Sequence, residues 1–168
     1  MIQRKQSLYL LIGILSCIGF LVGNPKYATL SGNLKEDNSF ALANAELKYT
    51  FTEVYDTSSN NKESKVKVNN QYIHLTLWAL VVLSVMGIFL FKNRALQLRL
   101  SSYLLIFDLL LFFLLYYQTN YIGSLFSNFE TQWNYNAFLG ILLPIVHILA
   151  IRGIVHDIKL LKAVDRLR

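Results

Sequence analysis

Four apolar stretches, each near the length that crosses a membrane as a helix, constrain this chain more than any other feature. They run over Leu8–Gly23, Tyr72–Phe91, Ser101–Gln118 and Asn136–Gly153. A helix needs about 20 residues to span a hydrocarbon core of about 30 Å. Lipid offers the backbone no hydrogen-bond partners, so such stretches must satisfy their own polar groups and are expected as helices. The expected fold class is therefore an all-α membrane protein: a single domain over residues 1–168, built as a four-transmembrane-helix bundle. Residues 24–71, between the first two helices, are expected as a small β-hairpin-containing ectodomain. Residues 154–168 are expected as a cytoplasmic amphipathic tail.

The chain carries a formal net charge of +6. A basic excess can point to nucleic acid, but its placement here argues against that partner. Arg4 and Lys5 precede the first span, and Lys92, Arg94 and Arg99 lie between the second and third. Arg152, Lys159, Lys162, Arg166 and Arg168 close the chain. The loop between spans three and four has no Lys or Arg. Short-loop basic residues mark the cytoplasmic side of a membrane. Both termini are expected inside, with residues 24–71 outside. That segment balances six Lys against six acids. The basic rim of Arg4, Lys5, Lys92, Arg94, Arg99, Arg152, Arg166 and Arg168 is read as a contact for anionic lipid or a partner. The first span has no prompt small-x-small cleavage site and is expected as a retained helix. The lone Cys17 excludes an intrachain disulfide or a Cys-x-x-Cys pair.

Between the spans, Leu47–Thr52 and Ser64–Asn69 alternate apolar and polar residues around a Ser/Asn/Asp-rich turn at Asp56–Glu63, the pattern of a hairpin. A third strand is expected near Tyr27–Leu34. The aromatic-rich loop Asn120–Tyr135 is expected as a short element lying at the outer interface. Small residues that let helices approach closely are Gly19 and Gly23, spaced as GxxxG, together with Gly87 and Gly140. For the first pair, packing within the bundle and a dimer face are both open. Pro144 removes a backbone hydrogen bond and is expected to kink the fourth helix. The tail places Ile154, Ile158, Leu161 and Val164 opposite Lys159, Lys162 and Arg166, the pattern of an interfacial helix on an anionic leaflet or of one docked to a cytoplasmic partner.

Asp108 is the only acid inside a predicted span. An ionisable residue in a membrane helix is costly and marks a site to be explained. Counting inward from the span ends puts Asp108 about 12 Å deep and His147, on the neighbouring span, about 8 Å deep, so the two can form a polar pair. The pair reads as a structural clamp between helices, as a partner-subunit contact through Asp108, or as a proton relay or substrate site. His74, His147 and His156 lie at different depths and do not share a metal. No cofactor is expected.

Three motifs carry a resemblance. They are the opening Met1-Ile2-Gln3-Arg4-Lys5-Gln6-Ser7-Leu8-Tyr9-Leu10-Leu11, the loop Phe91-Lys92-Asn93-Arg94-Ala95-Leu96-Gln97-Leu98-Arg99-Leu100, and the end Leu149-Ala150-Ile151-Arg152-Gly153-Ile154 with Asp165-Arg166-Leu167-Arg168. Together they resemble domain of unknown function 4293, a family of small inner-membrane proteins of Bacteroidota. The resemblance implies four helices and a bacterial inner membrane, and no activity. The family tail has an acidic pair before Leu-Val where this chain has His156-Asp157-Ile158-Lys159-Leu160.

The expected function is a non-catalytic membrane protein, an accessory subunit or assembly factor of an envelope complex. Its expected partners are the bilayer and other membrane proteins, not nucleic acid. The alternatives are a lipid- or solute-binding or transport protein that uses Asp108 and His147, and a membrane enzyme acting through that pair.

Overall fold

The computed structural model describes residues 5–34, 42–56 and 64–165. In chain order the elements are α1 (Lys5–Gly23), β1 (Lys26–Leu34), β2 (Leu42–Lys48), β3 (Phe51–Asp56) and β4 (Ser64–Asn69). They continue with α2 (Gln71–Phe89), a 3-10 turn (Leu90–Lys92), α3 (Arg94–Gly123), β5 (Phe126–Trp133) and α4 (Tyr135–Asp165). All four helices are long and apolar enough to cross a membrane.

The helices pack in a ring: α1 against α2 and α4, and α3 against α2 and α4. Each presents a buried seam at alternating steps of three and four residues. In α3 the seam is Gln97, Ser101, Leu104, Asp108, Leu111 and Leu115, and in α4 it is Leu143, His147, Ala150 and Ile154. Leu10, Gly13, Cys17 and Phe20 do the same in α1. A repeat near 3.5 residues keeps one stripe facing its neighbours along the whole helix, as in coiled coils. Seam residues are buried, while Leu15, Ile106, Leu109 and Phe113 on the outer faces are 59–68% exposed. That is an inverted pattern in water and the expected one in lipid.

The all-α expectation does not hold. Strands β1–β5 form one antiparallel sheet in the order β4-β3-β2-β1-β5. Four strands come from the segment between α1 and α2; the fifth comes from the loop between α3 and α4. The loop expected to lie at the interface is β5, paired with β1 from Ala28↔Trp133 to Leu34↔Phe126. Its apolar residues recur every three or four positions, which hides the two-residue period of a strand. Only the β1 backbone, about a hundred residues earlier in the chain, makes it one. The expected hairpin is also shifted. Tyr49 and Thr50 lie between β2 and β3, inside the segment read as a continuous strand. The Thr50 N–H donates to Asn24 Oδ1 at 2.9 Å, and its carbonyl accepts from Asn70 N–H at 3.0 Å. The turn is thus fixed from outside the strands. β2, Leu-Ala-Asn-Ala-Glu-Leu-Lys, is rich in good helix formers. Pairing on both edges overrides that preference. The third strand expected near Tyr27–Leu34 is β1, and Ser64–Asn69 is β4.

The tail is continuous with the fourth span. Helix α4 runs without interruption through Pro144 to Asp165, so 154–165 is the last part of one long helix. At about 1.5 Å per residue, α3 and α4 are each about 45 Å long, more than a hydrocarbon core of about 30 Å requires. The surplus of α3 carries the buried Thr119, Ile122 and Gly123 up against the sheet. A Cβ at Gly123 would meet the Phe129 ring of β5 at 2.7 Å.

Sheet and bundle are joined by polar bonds. Asn70, 3% exposed, donates from Nδ2 to the Lys48 carbonyl at 2.8 Å, and its Oδ1 accepts from Gln118 Nε2 of α3 at 2.9 Å. Tyr49 stacks on Phe20 of α1 with ring centroids 4.5 Å apart, and its hydroxyl donates to the Asn136 carbonyl of α4. Burial pushes the Tyr49 hydroxyl pKa well up, so it stays a donor. On the polar face of the sheet, Lys48 and the Tyr55 hydroxyl bond to Glu53 at 2.6 and 2.5 Å. Tyr55 is pushed up to about 12 by that bond. Glu53 is held below the usual carboxylate range, first by Lys48 and then by Tyr55.

Two outcomes are expected. Asn70→Ala strands the Lys48 carbonyl and Gln118, and should lower stability in detergent by about 1–3 kcal/mol, read by thermal unfolding. The depressed Glu53 pKa adds stability that is present above the unfolded value of about 4.3 and is lost as pH falls through the lower folded value. The Tm of the wild type should therefore fall more steeply below pH 4.3 than that of Glu53→Gln; parallel profiles would show that Glu53 contributes nothing.

Candidate functional site

At mid-bundle, α3 presents Asp108 and α4 presents His147. Both seams run inward, so two polar side chains on adjacent helices arrive at the same depth. His147 Nδ1 and Asp108 Oδ2 share a hydrogen bond of 2.7 Å, and both side chains are 0% exposed. The other face of the imidazole meets α1, where a Cβ at Gly13 would come within 2.9 Å of Nε2. Only glycine leaves room for the ring here. Cys17, one turn further along the same seam, is buried. The site thus joins three helices. Among the described residues, Asp108 Oδ1, His147 Nε2 and Ser101 Oγ have no hydrogen-bond partner.

The hydrogen bond joins α3 to α4 inside the bundle. Neither member of the pair lines the apolar groove at the sheet end. That groove, of about 440 Å³, lies between α3, α4 and β1, with Tyr27, Phe112, Tyr116 and Phe138 among its walls. Both side chains of the pair are fully buried among the described residues. No group of three or more His, Cys, Asp or Glu side chains placed to hold a metal occurs among the described residues.

The remaining residues singled out in the sequence are dispersed. Gly87 packs against Leu10 and Leu100, and Gly140 against the Tyr49 hydroxyl and Phe112. Gly19 has nothing within 4 Å of a built Cβ, and Gly23 only Pro25 at 4.0 Å. Among the described residues, the GxxxG pair therefore makes no close helix contact. Pro144 is half-buried, between Gly140 and His147. Arg94 does not join an open basic rim: its guanidinium pairs with Asp157 Oδ2 at 3.1 Å. Lys92, Arg99 and Arg152 are exposed. Arg4, Arg166 and Arg168 lie outside the described residues, as does the Lys5 side chain.

Sequence reasoning missed the clamp at the end of the bundle far from the sheet. Gln6 Nε2 of α1 donates to Asp157 Oδ2 of α4 at 2.6 Å, beside Arg94 of α3. A Cβ at Gly153 would meet Gln6 Cγ at 2.8 Å, so glycine admits the glutamine. Gln97 Nε2 donates to the Gly87 carbonyl at 3.0 Å and ties α3 to α2. The available signal was the recurrence of amides at helix ends, each beside a glycine on a neighbouring helix.

Removing one member of a buried pair leaves the other uncompensated, whereas removing both does not. Asp108→Leu alone should therefore destabilise the bundle more than Asp108→Leu with His147→Leu, as measured by thermal unfolding of the purified protein. Additive losses would mean that the two side chains are not coupled.

The chain matches none of the curated proteins. A family model matches residues 2–167, nearly the full chain and hence all four helices, the sheet and both polar clamps. On that match the chain belongs to the family described as domain of unknown function (DUF4293).

Proposed function

We propose that this protein is a non-catalytic integral membrane subunit, an accessory or assembly factor that displays a rigid sheet to other proteins of a bacterial envelope complex. In this reading the termini and the basic residues Lys92, Arg99 and Arg152 lie on the cytoplasmic side, following the positive-inside bias. The sheet lies on the opposite side, in the inner membrane's outer compartment.

One observation carries the reading. The sheet draws strands from two separate loops and is bonded to α1, α3 and α4 through Tyr49, Asn70 and Asn136. Such a structure holds a polar face in fixed orientation to the helices. The sealed Asp108–His147 pair supports a structural role for the bundle. The second reading, a lipid-binding protein, rests on the apolar groove between α3 and α4 rather than on the buried pair.

Purification in mild detergent followed by mass spectrometry is expected to recover a different membrane or envelope protein in stoichiometric amount. Substitutions on the polar sheet face, such as Glu46→Arg with Glu53→Arg, should release it while the helices stay folded. A preparation holding this chain alone, with one lipid retained per copy, would overturn the subunit reading in favour of the second.

A further inference from the structure

The two edges of the sheet are unlike. Natural edge strands are guarded against pairing by lysines, prolines or bulges. β4 reads Ser-Lys-Val-Lys-Val-Asn and carries two lysines in six residues. β5 reads Phe-Ser-Asn-Phe-Glu-Thr-Gln-Trp and has no lysine or proline in eight. Its one charge, Glu130, has no ion-pair partner among the described residues. Phe129 and Trp133 are 43% and 50% exposed, and among the described residues no strand lies on the outer side of β5.

The edges are also complementary. Glu130 pairs with Ser31, and Lys67 pairs with Glu53, which faces Glu46 and then Thr29; these positions share the polar face. Thr131 continues the row Leu30–Ala45–Val54, and Val68 the row Thr52–Leu47–Ala28, on the apolar face. Four successive antiparallel pairings leave β4 and β5 running in the same direction. Two copies side by side in one membrane, with the same end up, therefore present β5 of one to β4 of the next in parallel. The Lys67 row ends on Gln132, so sliding one copy by two residues, about 7 Å along the strand, sets Glu130 beside Lys67, Thr131 beside Val68 and Gln132 beside Asn69, acid to base and face to face.

We propose that the β5 edge is a docking site for the β4 edge of a second copy of this chain, joining the two sheets by a parallel ladder. The contact is heterologous, so it leaves a free β5 on one copy and a free β4 on the other and can extend to further copies. It is separate from recruitment of a different protein by the polar face, and its test reads only contacts between copies.

The test uses two full-length variants, each in a Cys17→Ala background: Lys67→Cys and Glu130→Cys. In one chain these positions lie across four strand spacings, about 19 Å, and each chain carries a single thiol. Co-expressed in membranes and mildly oxidised, they should give a covalent dimer containing one chain of each kind, while either variant alone stays monomeric. Val68→Cys with Thr131→Cys, the adjacent pair on the other face, should behave the same. It serves as the second arm because it keeps both charges. A mixed dimer from at least one pair upholds the ladder. Failure of both pairs overturns it, as does a Glu130→Cys dimer formed as readily without the lysine variant.

Discussion

Lipid is as apolar as leucine, so helices in a membrane gain little by burying leucine against leucine. What orders this bundle is fit and the satisfaction of polar groups. His147 fits because residue 13 has no side chain, and Gln6 fits because residue 153 has none. Each amide or imidazole then reaches a partner on another helix. The seam repeated along α1, α3 and α4 brings these groups to matching depths. Without it, the polar residues would face hydrocarbon and the helices would have no preferred rotation.

The polar contacts sit at three levels. Gln6, Arg94 and Asp157 close one end, Asp108 and His147 join the middle, and Asn70, Gln118 and Asn136 fasten the sheet at the other. Each level involves α3 or α4, the two longest helices. The extra length of α3 serves the sheet: Ile122 and Gly123 are buried there beyond the span. The extra length of α4 carries Asp157 to Gln6 and Arg94.

The membrane helices were legible because their signal is local. Some twenty apolar residues report themselves, but the charges beside them do not end the helices: α3 takes in Arg99 and α4 runs on past Arg152. Asp108 and His147 were legible as a candidate pair because counting residues along two antiparallel helices gives depth. The sheet was legible only where alternation was regular, in β1 and β4. β5 was not, because Phe126, Phe129 and Trp133 carry the spacing of a helix face, and the strand exists through its pairing with β1. β2 was not, because its alanines, leucines and glutamate favour helix in isolation. The same limit hid the role of Gly13: its importance lies in an imidazole on α4, and nothing near it in the chain announces that.

Strand β1 lies between β2 and β5, and this position has a consequence for how such a chain can diversify. The first loop is not a self-contained cassette. Its register is shared with a strand encoded some hundred residues later, and the bulge near Gly32 sets the Asn128 carbonyl against that glycine so closely that no Cβ fits. Grafting the first loop from a relative without the second would join strands shaped by different histories. The two loops are a single inheritable unit written in two places, and drift in one is bounded by the other.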